Sequence, residues 1–109
     1  MYIDFAESKG MHIICDEIYG NSVFPGEQVT SIAEVMKKRN PDRTKFMGDN
    51  VHIVTGFSKD FCMSGLRVGA LFSHNSGMHG CIDMLGLFGA VSNQTQWCLT
   101  QILEDEKWT

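Results

Sequence analysis

The sequence has 109 residues, 43% of them apolar and 20% charged, with a net charge of −4. That length suits one small domain but is short for a complete cofactor enzyme with its own substrate cleft, and the composition is globular rather than disordered or fibrous. The charge, with no basic cluster beyond Lys37-Lys38-Arg39, argues against nucleic acid as a partner. No apolar run reaches membrane-spanning length, and residues 1–7 lack the basic-then-apolar order of a secretory leader, so a cytoplasmic chain that does not enter a membrane is expected.

In chain order, residues 4–10 are polar and end in glycine, as a helix tail entering a strand would. Residues 11–15 form a short, nearly continuous apolar run, the pattern of a strand buried on both faces of a parallel sheet. Asp16 and Glu17 follow at once. Ligands of open α/β sheets collect at the carboxyl ends of strands, so Asp16 stands where a ligand would be met. Residues 20–30 read as a loop with turn chemistry from Asn21, Pro25 and Gly26. Residues 31–34 have capping-box spacing, Ser31 to Glu34, and open a short amphipathic helix through Ile32, Val35 and Met36. Its cations, Lys37-Lys38-Arg39, sit at the C-terminal end of the dipole, and residues 40–43 stop it.

Residues 44–50 read as a second loop, and residues 51–55 as a second strand. A turn then presents Ser58 and Lys59, and residues 67–73 read as a third strand whose direction periodicity alone leaves open. Two strands feeding polar residues out of one sheet edge, joined by a helix-containing crossover, make an α/β arrangement. Residues from 75 onward are helical. Asn75 or Ser76 can cap, and Met78, Ile82, Leu85 and Phe88 share a face, with breaks or tight contacts expected at Gly77, Gly80, Gly86 and Gly89. Ser92 caps a further helix with Thr95, Cys98, Leu99, Ile102 and Leu103 on one face, and residues 104–107 close in solvent.

Cys15, Cys62, Cys81 and Cys98 form no paired motif, which favours reduced, packed thiols over a disulfide frame. Cys62, inside the lysine turn, reads as a reactive thiol or as a small packing residue. His12 and Cys15, three apart on one strand, would point to opposite faces, and no metal site is expected.

Ser58-Lys59-Asp60-Phe61, followed by Ser64-Gly65-Leu66-Arg67-Val68-Gly69, resembles the cofactor-lysine signature of the class I/II aminotransferases, the fold-type I pyridoxal-phosphate enzymes. Within them the chain most resembles 1-aminocyclopropane-1-carboxylate (ACC) synthases and ACC-synthase-like proteins. Cys15-Asp16-Glu17-Ile18-Tyr19 resembles the family's Asp-Glu-x-Tyr segment, and the likeness runs on through the tail around Gln94 to Trp108. The resemblance implies that residues 1–109 are part of a mostly parallel, cofactor-binding large domain, with the third strand antiparallel to the other two. A homodimer completing its active site across the interface is implied for the full-length protein.

The chemistry agrees with that likeness. Lys59 is the expected catalytic residue, forming a Schiff base with the aldehyde of pyridoxal 5'-phosphate; an apolar surround and nearby Arg67 would favour its neutral, nucleophilic form. Asp16 is the expected partner of the pyridine nitrogen, and Tyr19 by resemblance donates to the phenolic oxygen. Ser58 and Arg67 are the expected phosphate ligands. Standing alone, each has a plainer reading: a solvated lysine, a capping carboxylate, a packed aromatic. The joint motif outweighs these. Asp60 and Glu17 are expected to pair or cap nearby backbone groups.

Two positions depart from the family. Many relatives carry Ser or Thr three residues before the lysine, where this chain has Gly56; either Thr55 moves in or the phosphate loses a hydroxyl. Ser64 stands where many plant ACC synthases have proline, which favours the ACC-synthase-like group. The family's substrate-carboxylate arginine and its cofactor-stacking region are not in this sequence. The expected function is a segment of a pyridoxal-phosphate-dependent transaminase or ACC-synthase-like lyase, acting on an amino acid, with S-adenosylmethionine as one candidate. The alternative is a truncated, non-catalytic remnant that scaffolds or binds a partner. Cut sheet edges and bare apolar faces would make the isolated chain associate.

Overall fold

The computed structural model describes residues 2–105 and residue 107; Glu106 in the acidic close and Trp108 in the resembling tail lie outside them. The elements are α1 (Tyr2–Ser8), β1 (Ile13–Asp16), α2 (Ile32–Arg39), β2 (Val51–Gly56), a 3-10 turn (Ser64–Leu66), β3 (Gly69–Ser73), α3 (Ser76–Gly89) and α4 (Asn93–Glu104). The sheet has the order β1-β2-β3. β1 and β2 run parallel, with Ile13 beside Val51 and Asp16 beside Val54, and α2 lies in the crossover between them. β3 returns antiparallel to β2, as the resemblance implied, with Ser73 beside His52 and Gly69 beside Gly56.

β1 starts two residues later than the apolar run suggests because α1 uses those residues to terminate. Gly10 takes a left-handed φ of 62°, the Gly10 N–H donates to Glu7 O at 3.1 Å, and the Met11 N–H donates to Ala6 O at 2.9 Å. That pair of bonds is a Schellman close, which spends the Met11 amide before any strand can form. β1 is also not buried on both faces. Ile13 and Cys15 are half-buried, whereas Ile14, on the His52 side of the sheet, is 63% exposed.

The covered side carries the core. Met36, Met47, Val51 and Ile53 are buried together, with Ile3, Ile13, Ile32, Ala33 and Phe46 packed against them. Met47 and Phe46 come from the loop before β2, so that loop supplies core volume rather than only a connection. The α2 N-terminus departs from a simple capping box. Ser31 Oγ accepts from the Ala33 N–H at 3.1 Å, but Glu34 pairs forward with Lys38 at 2.6 Å. The returning carboxylate is Glu17, whose Oε1 accepts from the Ile32 N–H at 2.8 Å and the Ser31 hydroxyl at 3.1 Å. A carboxylate at a helix N-terminus meets both unpaired donors and the positive end of the dipole. At the other end Arg39 reaches Asp4 and Glu7 of α1 at 2.7 and 3.0 Å, exposed pairs that solvent screens.

On the opposite side of the sheet, His52 is fully buried. Its Nδ1 lies 2.7 Å from Ser73 Oγ, and its Nε2 lies 2.8 Å from His12 Nδ1. The Asn75 N–H donates to Ser73 Oγ. Giving the buried Ser73 hydroxyl proton an acceptor puts it on His52 Nδ1, so His52 carries its proton on Nε2 and donates it to His12. Burial, aided by the neighbouring His12 charge, lowers the His52 pKa below its ordinary 6.5. Below that value the unfolded chain takes up a proton that the folded chain refuses, so stability falls as pH drops through and below about 6.5. Thermal melts from pH 7 to pH 5 are expected to show this loss, and His52→Asn to flatten it; identical slopes in both proteins would refute the assignment.

α3 is unbroken despite its four glycines, with Asn75 as its cap accepting from the Met78 N–H at 2.9 Å. The expected close contacts are absent at Gly80, Gly86 and Gly89, where an added Cβ would meet nothing within 4 Å. His79 Nε2, 2.7 Å from Ser73 O, ties its first turns to β3. The apolar stripe beyond is bare, with Leu85 62% and Phe88 93% exposed. α4 is capped by Ser92 as expected and buries Leu99, but Cys98 and Leu103 on the same stripe are exposed. The expectation of packed thiols also fails: all four cysteines are free, Cys62, Cys81 and Cys98 are exposed, and Cys15 is half-buried. The accessible area, 8311 Å², exceeds the about 6,100 Å² of a folded monomer of this mass. Much apolar surface therefore stands open. Among the described residues no helix is long and apolar enough to cross a membrane.

Candidate active site

Parallel pairing of β1 and β2 brings the chain out of both strands at one edge of the sheet. Asp16 is the last residue of β1, and Lys59 follows the end of β2 by three residues. Asp16, Val54 and Leu71 sit abreast across the three strands, on the side away from the core. Asp16 is exposed; its Oδ1 accepts from the Ile18 N–H at 3.1 Å, and its Oδ2 makes no hydrogen bond among the described residues. The turn so formed presents Tyr19, which is 57% exposed. Asp16 and Tyr19 line one hollow of about 270 Å³ with Cys15, Val29 and Thr30.

The lysine turn is a closed unit. The Phe57 N–H donates to Val68 O, the Met63 N–H to Phe57 O and the Cys62 N–H to Lys59 O, all within 3.1 Å. Phe57 and Phe61 pack inside it with ring centres 5.0 Å apart. Lys59 leaves the turn with its Nζ 6.0 Å from the centre of the Tyr19 ring, within reach of a cation–π contact. The structure thus brings the lysine turn and the acidic turn together. Ser58 is half-buried in the same turn.

Arg67 stands apart from a strand. It caps the 3-10 turn with a left-handed φ of 54°, so β3 begins only at Gly69, and its Nη1 donates to Ser64 O at 2.9 Å. Cys62 is left-handed too, at φ 53°. Two non-glycine residues in that region within one loop store about 1–3 kcal/mol each, the kind of strain that clusters at functional sites. The surround of Lys59 differs from the expected apolar one: the side chain is exposed, because no described element roofs the turn.

Thr55 is on the opposite face of β2 from Asp16. It lies on the core side of β2, where its hydroxyl donates to Glu17 O at 3.4 Å. Gly56 is on the Asp16 side, and an added Cβ there would meet Val68 O at 3.0 Å and Ile18 Cδ1 at 3.1 Å. Ile18 therefore occupies the space a longer side chain at position 56 would need, a role nothing in its sequence context signalled. Gly56→Ser is expected to cost about 1–3 kcal/mol in urea denaturation. Introduced on top of Ile18→Val it is expected to cost less; an equal cost in both backgrounds would refute the role given to Ile18.

The unspent groups are of the chemical types that an aldehyde-bearing, phosphorylated, pyridine-like ligand needs; Asp16 and Tyr19 line the same hollow, whereas Lys59, Ser58 and Arg67 do not line it. An amine, a phenol, a carboxylate oxygen and a hydroxyl make no hydrogen bond among the described residues, at Lys59, Tyr19, Asp16 Oδ2 and Ser58, and the Arg67 guanidinium spends one nitrogen. Asp60 by contrast has both oxygens engaged, and Glu17 Oε1 accepts twice, as expected of carboxylates that cap nearby groups.

The aminotransferase class I and II family profile matches residues 2–109. The chain is similar over its whole length to 1-aminocyclopropane-1-carboxylate synthase 9 of Arabidopsis thaliana, 39% identical, and to 1-aminocyclopropane-1-carboxylate synthase of Malus domestica, 38% identical; it covers 23% of each. It is 40% identical to 1-aminocyclopropane-1-carboxylate synthase 2 of Solanum lycopersicum over 97% of this chain and 21% of that protein. The chain thus spans under a quarter of the length of the curated relatives it matches.

Proposed function

The chain belongs to the aminotransferase class I and II family, and on that premise we propose that it is part of the cofactor-binding large domain of a pyridoxal-phosphate-dependent enzyme acting at the α-carbon of an amino acid. Lys59 would hold the cofactor's aldehyde carbon, Asp16 its ring nitrogen, Tyr19 its phenolic oxygen, and Ser58 with Arg67 its phosphate. When bound, pyridoxal phosphate supplies an electron sink for the bond broken at the α-carbon. Asp16 Oδ2 would keep a proton on the ring nitrogen. Lys59, on a flexible four-carbon stem, would carry a proton to or from the α-carbon on its Nζ. The observation that carries this reading is the Lys59 amine over the Tyr19 ring, 6.0 Å from its centre.

The test is to incubate the chain with pyridoxal phosphate, reduce with borohydride and map the labelled peptide. Label on Lys59 supports the reading; label spread over the other lysines, or none, overturns it. The ACC synthase relatives favour a lyase that takes S-adenosylmethionine and releases methylthioadenosine, and keto-acid formation from ordinary amino acids would point to transamination instead. The open surface favours a full-length homodimer, and four free thiols favour the cytoplasm. The second reading, a remnant that binds a partner without catalysis, draws on the exposure of Lys59 and on the bare stripe of α3.

A further inference from the structure

One side chain ties the acidic turn to the lysine turn. Asp60 Oδ2 accepts the Asn21 backbone N–H at 3.0 Å, and Asp60 Oδ1 accepts the Ser22 hydroxyl at 2.5 Å. The Ser22 N–H in turn donates to Tyr19 O at 3.1 Å, so Asp60 grips the far end of the bend whose corner is Tyr19. On the other side, the Cys62 N–H donates to Lys59 O and the Met63 N–H to Phe57 O, so Asp60 lies within a turn closed by its own backbone bonds.

Neither turn contributes to the buried core, and neither Asp60 bond reaches a strand or helix. What the carboxylate fixes is the placement of one turn against the other, and across that junction Lys59 Nζ meets the Tyr19 ring. We propose that Asp60 is a positioning residue that holds Tyr19 over Lys59 by clipping the two turns together. The proposal rests on the reading of Lys59 as the cofactor anchor, since only then does the register of phenol and amine matter for binding.

The test compares Asp60→Ala and Asp60→Asn with the unaltered chain. Without cofactor, Asp60→Ala is expected to speed exchange of the Asn21 amide about tenfold or more and to abolish the upfield ring-current displacement of the Lys59 ε-methylene protons. Asparagine can still accept from the Asn21 N–H through its oxygen and donate to the Ser22 hydroxyl through its nitrogen, so Asp60→Asn is expected to recover most of both signals. The pyridoxal phosphate concentration giving half-maximal borohydride trapping is expected to rise about tenfold in Asp60→Ala and to return toward the original in Asp60→Asn. Unchanged exchange and ring-current signals in Asp60→Ala, loss of both signals with unchanged trapping, or no recovery with asparagine would each overturn the proposal. Lys59→Ala separates the two ideas. If it traps cofactor as well as the original chain, the anchor reading fails, while the cofactor-free signals still decide whether Asp60 clips the turns.

Discussion

Lys59→Ala is expected to abolish covalent trapping of pyridoxal phosphate, and Lys59→Arg to do the same, because a guanidinium keeps the charge but offers no amine for addition to the aldehyde. The lysines of α2 serve as the internal control. Lys37 donates to Pro41 O at 3.0 Å and Lys38 to Glu34 at 2.6 Å, both on the outer surface of that helix, so Lys37→Ala should leave trapping unchanged. In the full-length protein the same substitution at Lys59 should lower turnover on the order of 10²–10⁴-fold, the contribution typical of a positioned acid–base group. Trapping that survives Lys59→Ala at its original level would remove the basis for assigning this amine to the cofactor.

Met47→Ala is the substitution expected to cost most in folding, about 2–5 kcal/mol. Met47 has no exposed surface and lies in the core cluster that joins α2 to the sheet, with Met36, Val51 and Ile53. Truncation leaves a cavity whose lining loses its contacts, and a chain with so few buried side chains has little stability in reserve. Met84→Ala, at a residue 75% exposed on α3, should stay within about 0.5 kcal/mol in the same urea titration. A Met47→Ala loss below about 1 kcal/mol would mean that the loop before β2 does not seal the core.

Much of the frame could be read from residue order because local rules govern it. Ser31 and Ser92 cap their helices where expected, the basic residues close α2, and the apolar run at residues 51–55 becomes β2, extended by one residue to Gly56. The candidate site residues were named for a different reason: they lie on two short motifs at strand ends. The motifs name Lys59, Asp16, Tyr19, Ser58 and Arg67 without any knowledge of packing. Their assigned roles remain the proposal made above.

What residue order could not give depends on partners distant in the chain. Glu17 replaces Glu34 at the α2 N-terminus only because the crossover brings residues 17 and 31 together. Thr55 falls on the core side of β2 and Ile18 fills the space beside Gly56 only once the β1–β2 register is fixed. Asp60 meets Asn21 and Ser22 because parallel pairing returns both turns to the same edge. The sequence by itself determined most of the segments that become helix or strand and named the side chains proposed to carry chemistry, since period, caps and motifs act over a few residues. Only the tertiary structure decided which of those side chains are spent on the backbone and which stay open to a ligand, because that division is made by contacts between segments tens of residues apart.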